Sequence, residues 1–118
     1  MHELSIAMSM IEQIELEAAK HPGKVLSAQV KIGVLSGVDT EALRFAWEIA
    51  RAGTALEATE LEIEKVPLLA RCTACGKTWS PEIQSLFCPD CITPVQDILA
   101  GRELELATLE IDSQEIDA

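Results

Sequence analysis

The feature that most constrains this chain is a pair of C-x-x-C knuckles, Cys72-Thr73-Ala74-Cys75 and Cys88-Pro89-Asp90-Cys91. They hold all four cysteines of the protein. Thiolates spaced in this way can grip one metal ion from a tight turn, and two such turns supply four sulfurs. Four-sulfur tetrahedral coordination is closed and leaves no position for a substrate, so the zinc expected at Cys72, Cys75, Cys88 and Cys91 is structural. Iron suits the same cage, and disulfides or unrelated thiols are the plainer alternatives. Gly76 follows the first knuckle, where the chain often needs a positive φ to fold its amides back toward sulfur. A closed cage is a brace, so function has to be sought elsewhere in the chain.

The rest of the chain reads as the frame for that brace. At 118 residues it suits one small domain, or a small domain carrying a smaller metal module. Leu4, Ala7, Met8, Ile11, Ile14 and Ala18 recur at helical spacing and predict a first helix from about Glu3 to Lys20. Its methionines read as core packing. His21-Pro22-Gly23 ends the helix, because proline removes a donor and glycine permits the reversal. Leu26, Ala28, Val30, Ile32 and Val34 then alternate with Ser27, Gln29, Lys31 and Gly33, the pattern of a half-buried strand. Asp39 is the expected N-cap of a second helix through about Ala52, with Leu43, Ala46, Trp47 and Ala50 on its buried face and Gly53 as its stop.

A second strand begins near Leu61, and its apolar phase slips at Val66 and Leu68. The stretch Glu103 to Ile111 slips similarly, with Leu104 and Leu106 in one phase and Leu109 and Ile111 in the other. A one-residue slip implies a bulge, or a strand passing from one environment to another. These two strands bracket the cysteines, so they are expected to form a long antiparallel pair with the zinc at its far end. Trp79 and Phe87 are expected to cover the metal cage. The fold class is therefore α+β: a small mixed three-stranded sheet with two helices, carrying an inserted zinc-ribbon-like module. Residues 1–70 and 101–112 form the α/β domain, residues 71–100 the zinc module, and residues 113–118 a frayed acidic tail.

Charge and motif content exclude several functions. The formal net charge is −11, and four thiolates around zinc add about −2 more. A nucleic-acid binder needs a basic face to meet phosphates, and here lysines and arginines are scattered and outnumbered. No apolar run is long enough to cross a bilayer, and the N-terminus lacks a signal-peptide pattern. Cysteines used as metal ligands fit a reducing cytoplasm. With two histidines, no glycine-rich phosphate loop and no nucleophile motif, the chain offers no enzyme site.

What remains is the opening Met1-His2-Glu3. A free α-amine and the His2 amide nitrogen close a five-membered ring on a metal, and that amide with His2 Nδ1 closes a six-membered one. Glu3 can add its amide or carboxylate. Nitrogen-rich, planar coordination selects nickel(II) or copper(II). The first amides of a helix have no intrahelical acceptor, so using them as ligands sacrifices no helical hydrogen bond. A terminal histidine with no metal role is the plainer reading of the same residues.

Taken together, these pieces resemble the HypA/HybF nickel metallochaperones of nickel–iron hydrogenase maturation. The matching residues are Met1-His2-Glu3-Leu4-Ser5, Ile32-Gly33-Val34-Leu35-Ser36-Gly37-Val38, Gly53-Thr54, Leu56-Glu57, both knuckles and Gly101-Arg102-Glu103-Leu104. The match runs in order over nearly the whole chain. The resemblance implies nickel(II) as cargo at Met1, His2 and Glu3, and structural zinc at the four cysteines. It implies delivery to the hydrogenase large-subunit precursor together with a maturation GTPase; some relatives also serve urease, so urease maturation proteins join the expected partners. The chain has no phosphate loop, so any nucleotide dependence belongs to the partner. Two departures stand out. Ile92 follows the second knuckle where the family usually has glycine, and a branched residue tolerates positive φ poorly, which predicts a distorted turn or a weakened amide-to-sulfur contact. The further histidine that certain relatives carry near the zinc module is missing. Binding needs a neutral imidazole and loss of amide protons, so nickel affinity should fall below about pH 6.5. The rival function is an interaction adaptor that docks partners through its zinc module without nickel cargo.

Overall fold

Ala7, Met10, Ile11 and Ile14 are buried along one stripe of the first helix, and that stripe sets how the molecule packs. The computed structural model describes residues 2–112. Helix α1 (Glu3–Ala18) is followed by strand β1 (Lys24–Gly33), helix α2 (Thr40–Arg51) and strand β2 (Glu60–Val66). Three short strands come next, β3 (Leu69–Arg71), β4 (Thr78–Trp79) and β5 (Asp97–Ala100), before the long strand β6 (Leu104–Asp112).

The order β2-β1-β6 makes a mixed three-stranded sheet, with β1 parallel to β2 and antiparallel to β6. Both helices lie on one face of it. Ala28, Val30 and Ile32 of β1 meet the α1 stripe, and Leu43, Ala46 and Trp47 of α2 complete the core. Trp47 is fully buried and keeps its indole N–H satisfied by donating to Thr59 O at 3.0 Å. The opposite face is polar. Ser27, Gln29 and Lys31 are flanked by Glu60, Glu62 and Glu64 on one side and by Glu110, Thr108 and Glu105 on the other. Gln29 ties the three strands together, donating to Ser27 Oγ and Glu62 and accepting from Thr108.

Asp39 caps α2 as expected, its Oδ1 accepting the Glu41 and Ala42 amides at 3.0 and 3.2 Å. Gly53, at φ +75°, follows the end of that helix. Helix α1 stops at Ala18, two residues short of the sequence expectation. In β1 the pairing shifts between Val25 and Ser27, so Leu26 falls in a bulge. It is 42% exposed, and Val25 packs against the core in its place.

The expected long antiparallel pair is corrected. The strand from Leu61 and the strand ending at Ile111 do not touch, because β1 lies between them. β1, α2 and β2 form a crossover unit that makes β2 parallel to β1, leaving the other side of β1 for β6. Both phase slips have the causes their pattern implied. At Pro67 the chain leaves the first sheet for a second, ordered β4-β3-β5, where β3 and β5 pair antiparallel. In β6, Leu106 faces Val30 and Thr108 faces Gln29, so Ala107 is the extra residue of a bulge.

The two sheets meet at a glycine contact. Gly33 N–H donates to Glu103 O and Leu35 N–H to Gly101 O, both at 2.7 Å. A Cβ on Gly33 would lie 2.1 Å from the Gly101 carbonyl, so this approach requires glycine. The result is an elongated molecule with principal extents of 63 × 29 × 16 Å.

Candidate metal centres

The two knuckles are built alike. In the first, Cys72 N–H donates to Lys77 O at 2.8 Å and Gly76 N–H to Cys72 O at 2.9 Å. In the second, Cys88 N–H donates to Thr93 O at 2.8 Å and Ile92 N–H to Cys88 O at 2.9 Å. β3 and β4 carry the first knuckle between them, and an isolated bridge between Phe87 and Pro94 closes the second. Lys77 and Asp90 pair across the knuckles at 3.2 Å.

This places all four sulfurs within 4.8 Å of one another. Cys72 and Cys91 approach to 3.4 Å and Cys75 and Cys88 to 3.7 Å, well beyond a disulfide bond. Four sulfurs at about 2.3 Å from a central ion, on tetrahedral corners, would sit about 3.8 Å apart, so the cage has the size of a zinc site. Electrostatics point the same way. The Cys72 thiol is drawn down to about 6, first by the Cys75 amide, whose nitrogen lies 3.5 Å from its sulfur, against the effect of desolvation. Cys75 is pushed up to about 12: the Lys77 amide pulls it down, but the crowding Cys88, Cys72 and Cys91 sulfurs and desolvation outweigh that pull. The Cys72 thiolate forms readily, and Cys75 beside it then holds its proton. A divalent cation at the centre removes that conflict, since each thiolate then faces positive charge.

The second knuckle keeps its turn despite Ile92. Ile92 takes φ +59°, the left-handed conformation that Gly76 adopts at +80°, and its amide bond to the knuckle carbonyl matches the glycine one. The strain therefore resides in the residue, where the sequence predicted a distorted turn. Cys91 Sγ is also met at 3.1 Å by the Thr93 hydroxyl, a partner that sequence reasoning did not single out. Trp79 and Phe87 flank a shallow depression with Cys88, Pro89 and Ile92. Phe87 is 54% exposed, so it shields the cage less than expected.

The cage lies in the second sheet, and the opening residues begin the helix packed on the first. Met1 falls outside the described residues. His2 is the N-cap position of α1, exposed, with its carbonyl accepting the Ile6 amide at 3.1 Å. The amides before Ile6 belong to the set that every helix start leaves without intrahelical acceptors. Glu3 Oε2 accepts the Asp39 amide at 3.2 Å and so ties the start of α1 to the N-cap of α2. That tie crosses 36 residues of sequence, and no local pattern signals it.

Fold and cage define a class: a two-helix α/β domain joined to a four-cysteine metal module. The chain belongs to the HypA family of hydrogenase and urease nickel-incorporation metallochaperones, whose model matches residues 1–111. A hydrogenase maturation factor HypA of Roseiflexus sp. is 43% identical over 114 residues, covering 95% of this chain and 93% of the relative. One from Streptomyces avermitilis is 41% identical over 113 residues, covering 92% and 86%. The solution structure of the nickel metallochaperone HypA from Helicobacter pylori superposes with a TM-score of 0.66 at 28% identity, covering 94% and 97%. Another HypA solution structure gives 0.71 at 27% identity, covering 97% and 98%. The family is one of maturation factors, not of enzymes. Among the described residues no helix is long and apolar enough to cross a membrane.

Proposed function

We propose that this chain carries nickel(II) at Met1, His2 and Glu3 and delivers it to the hydrogenase large-subunit precursor, with a maturation GTPase as partner. On the same reading, zinc at Cys72, Cys75, Cys88 and Cys91 is a resident structural ion, residues 71–100 are its module, and residues 1–70 with 101–112 are the nickel-binding domain. Urease maturation proteins are a second destination.

The observation that carries this reading is the placement of His2 at the N-cap of α1. Its imidazole is exposed there beside backbone amides that have no helical duty. A cation at this position meets the positive end of the helix dipole, so simple electrostatic attraction would not hold it. Coordination needs amide nitrogens that have lost their protons, which turns an unfavourable end into an anionic one. Such a site forms at neutral pH and yields its metal when protons or better ligands arrive, as a carrier requires. Glu3 contributes from a carboxylate already fixed through one oxygen to the Asp39 amide.

The test is a nickel titration by calorimetry on zinc-loaded protein with an untagged N-terminus, beside His2→Ala. Saturable binding that disappears in the variant is the expected result. Equal binding by both proteins would move the cargo elsewhere, and none by either would leave an adaptor without cargo.

A further inference from the structure

Strand β6 gives one edge to β1, and its other edge has no strand partner among the described residues. Along that open edge runs a groove of about 1160 Å³, walled on the far side by Gln13, Leu16 and Glu17 of α1 and by Lys20 and His21 just beyond its end. A smaller recess of about 290 Å³ shares Gln13, Leu104 and Leu106 with it and continues along the helix to Ser5. The trench therefore leads toward the N-terminal end of α1, where His2 and Glu3 sit. Leu16 is 72% exposed, far more than the core-facing residues of its helix, and it stands in the wall of this trench.

The two faces of β6 differ in chemistry. Toward the helices it presents Leu104, Leu106, Leu109 and Ile111, paired across β1 with Ile32, Val30, Ala28 and Val25. Toward the polar face it presents Glu105, Thr108 and Glu110. A strand added to this edge would alternate accordingly, one set of side chains entering the apolar trench under Leu16 and the other lying beside the glutamates. A second copy of this chain fits badly, because edge-to-edge pairing of β6 with itself brings acidic residues together on a protein of net charge −11.

The geometry points to a strand-addition site: β6 accepts, as a fourth strand, an extended peptide segment of a partner in which apolar residues alternate with lysine or arginine. Backbone hydrogen bonds supply affinity, and the alternation supplies specificity. A segment seated there would run beside α1 toward the proposed nickel donors. The site itself does not depend on nickel.

The test uses full-length zinc-loaded protein and a capped peptide of about ten residues alternating valine and lysine, matched to the length of β6. Titration at about 0.15 M salt should give saturable binding, with amide shifts at Leu104–Asp112 in isotope-edited NMR. Leu16→Asp, a change at an exposed position, should weaken binding at least about tenfold. A valine–glutamate peptide should lose as much. N-methylation of alternate peptide amides should abolish binding in one register and spare it in the other, because only one set of amides faces β6. His2→Ala should bind the peptide unchanged, so a failed nickel carrier and a failed strand site are told apart. Absence of saturable binding, equal loss in both N-methyl registers, or equal affinity for the acidic peptide would each overturn the proposal. So would sedimentation showing a dimer that Leu16→Asp dissociates, which would give the edge to a second copy.

Discussion

Ile92 shows how much a single residue can be asked to tolerate. A β-branched side chain at φ +59° suffers a backbone penalty of about 1–2 kcal/mol, and at 75% exposure it recovers little of this by packing. Because a small metal module folds and binds its ion together, relief of that strain should appear as metal affinity. Ile92→Gly should therefore tighten zinc by about fivefold or more, measured by competition with a chromophoric chelator, with the nickel titration unchanged. An unchanged zinc affinity would show that the turn holds Ile92 without strain. The sequence marks this position clearly, since glycine and isoleucine occupy equivalent places in the two knuckles. It does not show where the strain settles. The turn could open or the residue could yield, and the choice depends on hydrogen bonds to Cys88 O and Thr93 O that only the folded knuckle contains.

At the level of elements, the helix starts matter most. Asp39 caps α2 with two amide bonds, and Glu3 accepts the amide of Asp39 itself, so one short cluster fixes the start of both helices. Asp39→Ala should cost about 1 kcal/mol in urea unfolding at constant zinc. Alanine keeps the backbone amide that Glu3 accepts, so nickel binding should be unchanged in the calorimetric titration, and a parallel loss of nickel affinity would show that the cap of α2 and the start of α1 act as one unit. The cap was legible because a short acidic side chain stands just before an amphipathic run. The bulge at Ala107 was legible because Leu106 and Leu109 change phase. Strand partnership was not. Periodicity says which face of a strand is buried and nothing about its neighbour, so β2 and β6 read as partners until β1 was seen between them. The Leu26 bulge was hidden for a related reason: Leu26, Ala28 and Val30 keep perfect alternation, while Val25 takes the core position.

For the whole molecule, the critical place is where two sheets of different character share a few backbone bonds. Gly33 approaches the Gly101 carbonyl so closely that a methyl group at 2.1 Å would meet backbone with no freedom to move aside. Gly33→Ala should destabilise the protein by about 1–3 kcal/mol in equilibrium unfolding, although the position is neither a turn nor a core side chain. A neutral effect would mean that the two halves separate without loss. The sequence places Gly33 and Gly101 in motifs shared with the family, but their need for each other appears only when β1 and the β5–β6 connection are brought together. The chain order has a further consequence. β1 lies at the centre of its sheet, yet its antiparallel neighbour β6 is encoded after the entire cysteine module. On a ribosome, then, the first helix, β1, α2 and β2 emerge early and wait with one flank of β1 uncovered. β3, β4, β5 and both knuckles are then synthesised before β6 can pair with β1. Connectivity thus sets an order of assembly: the central strand of the first sheet gains its second neighbour only after the whole cysteine module has been synthesised.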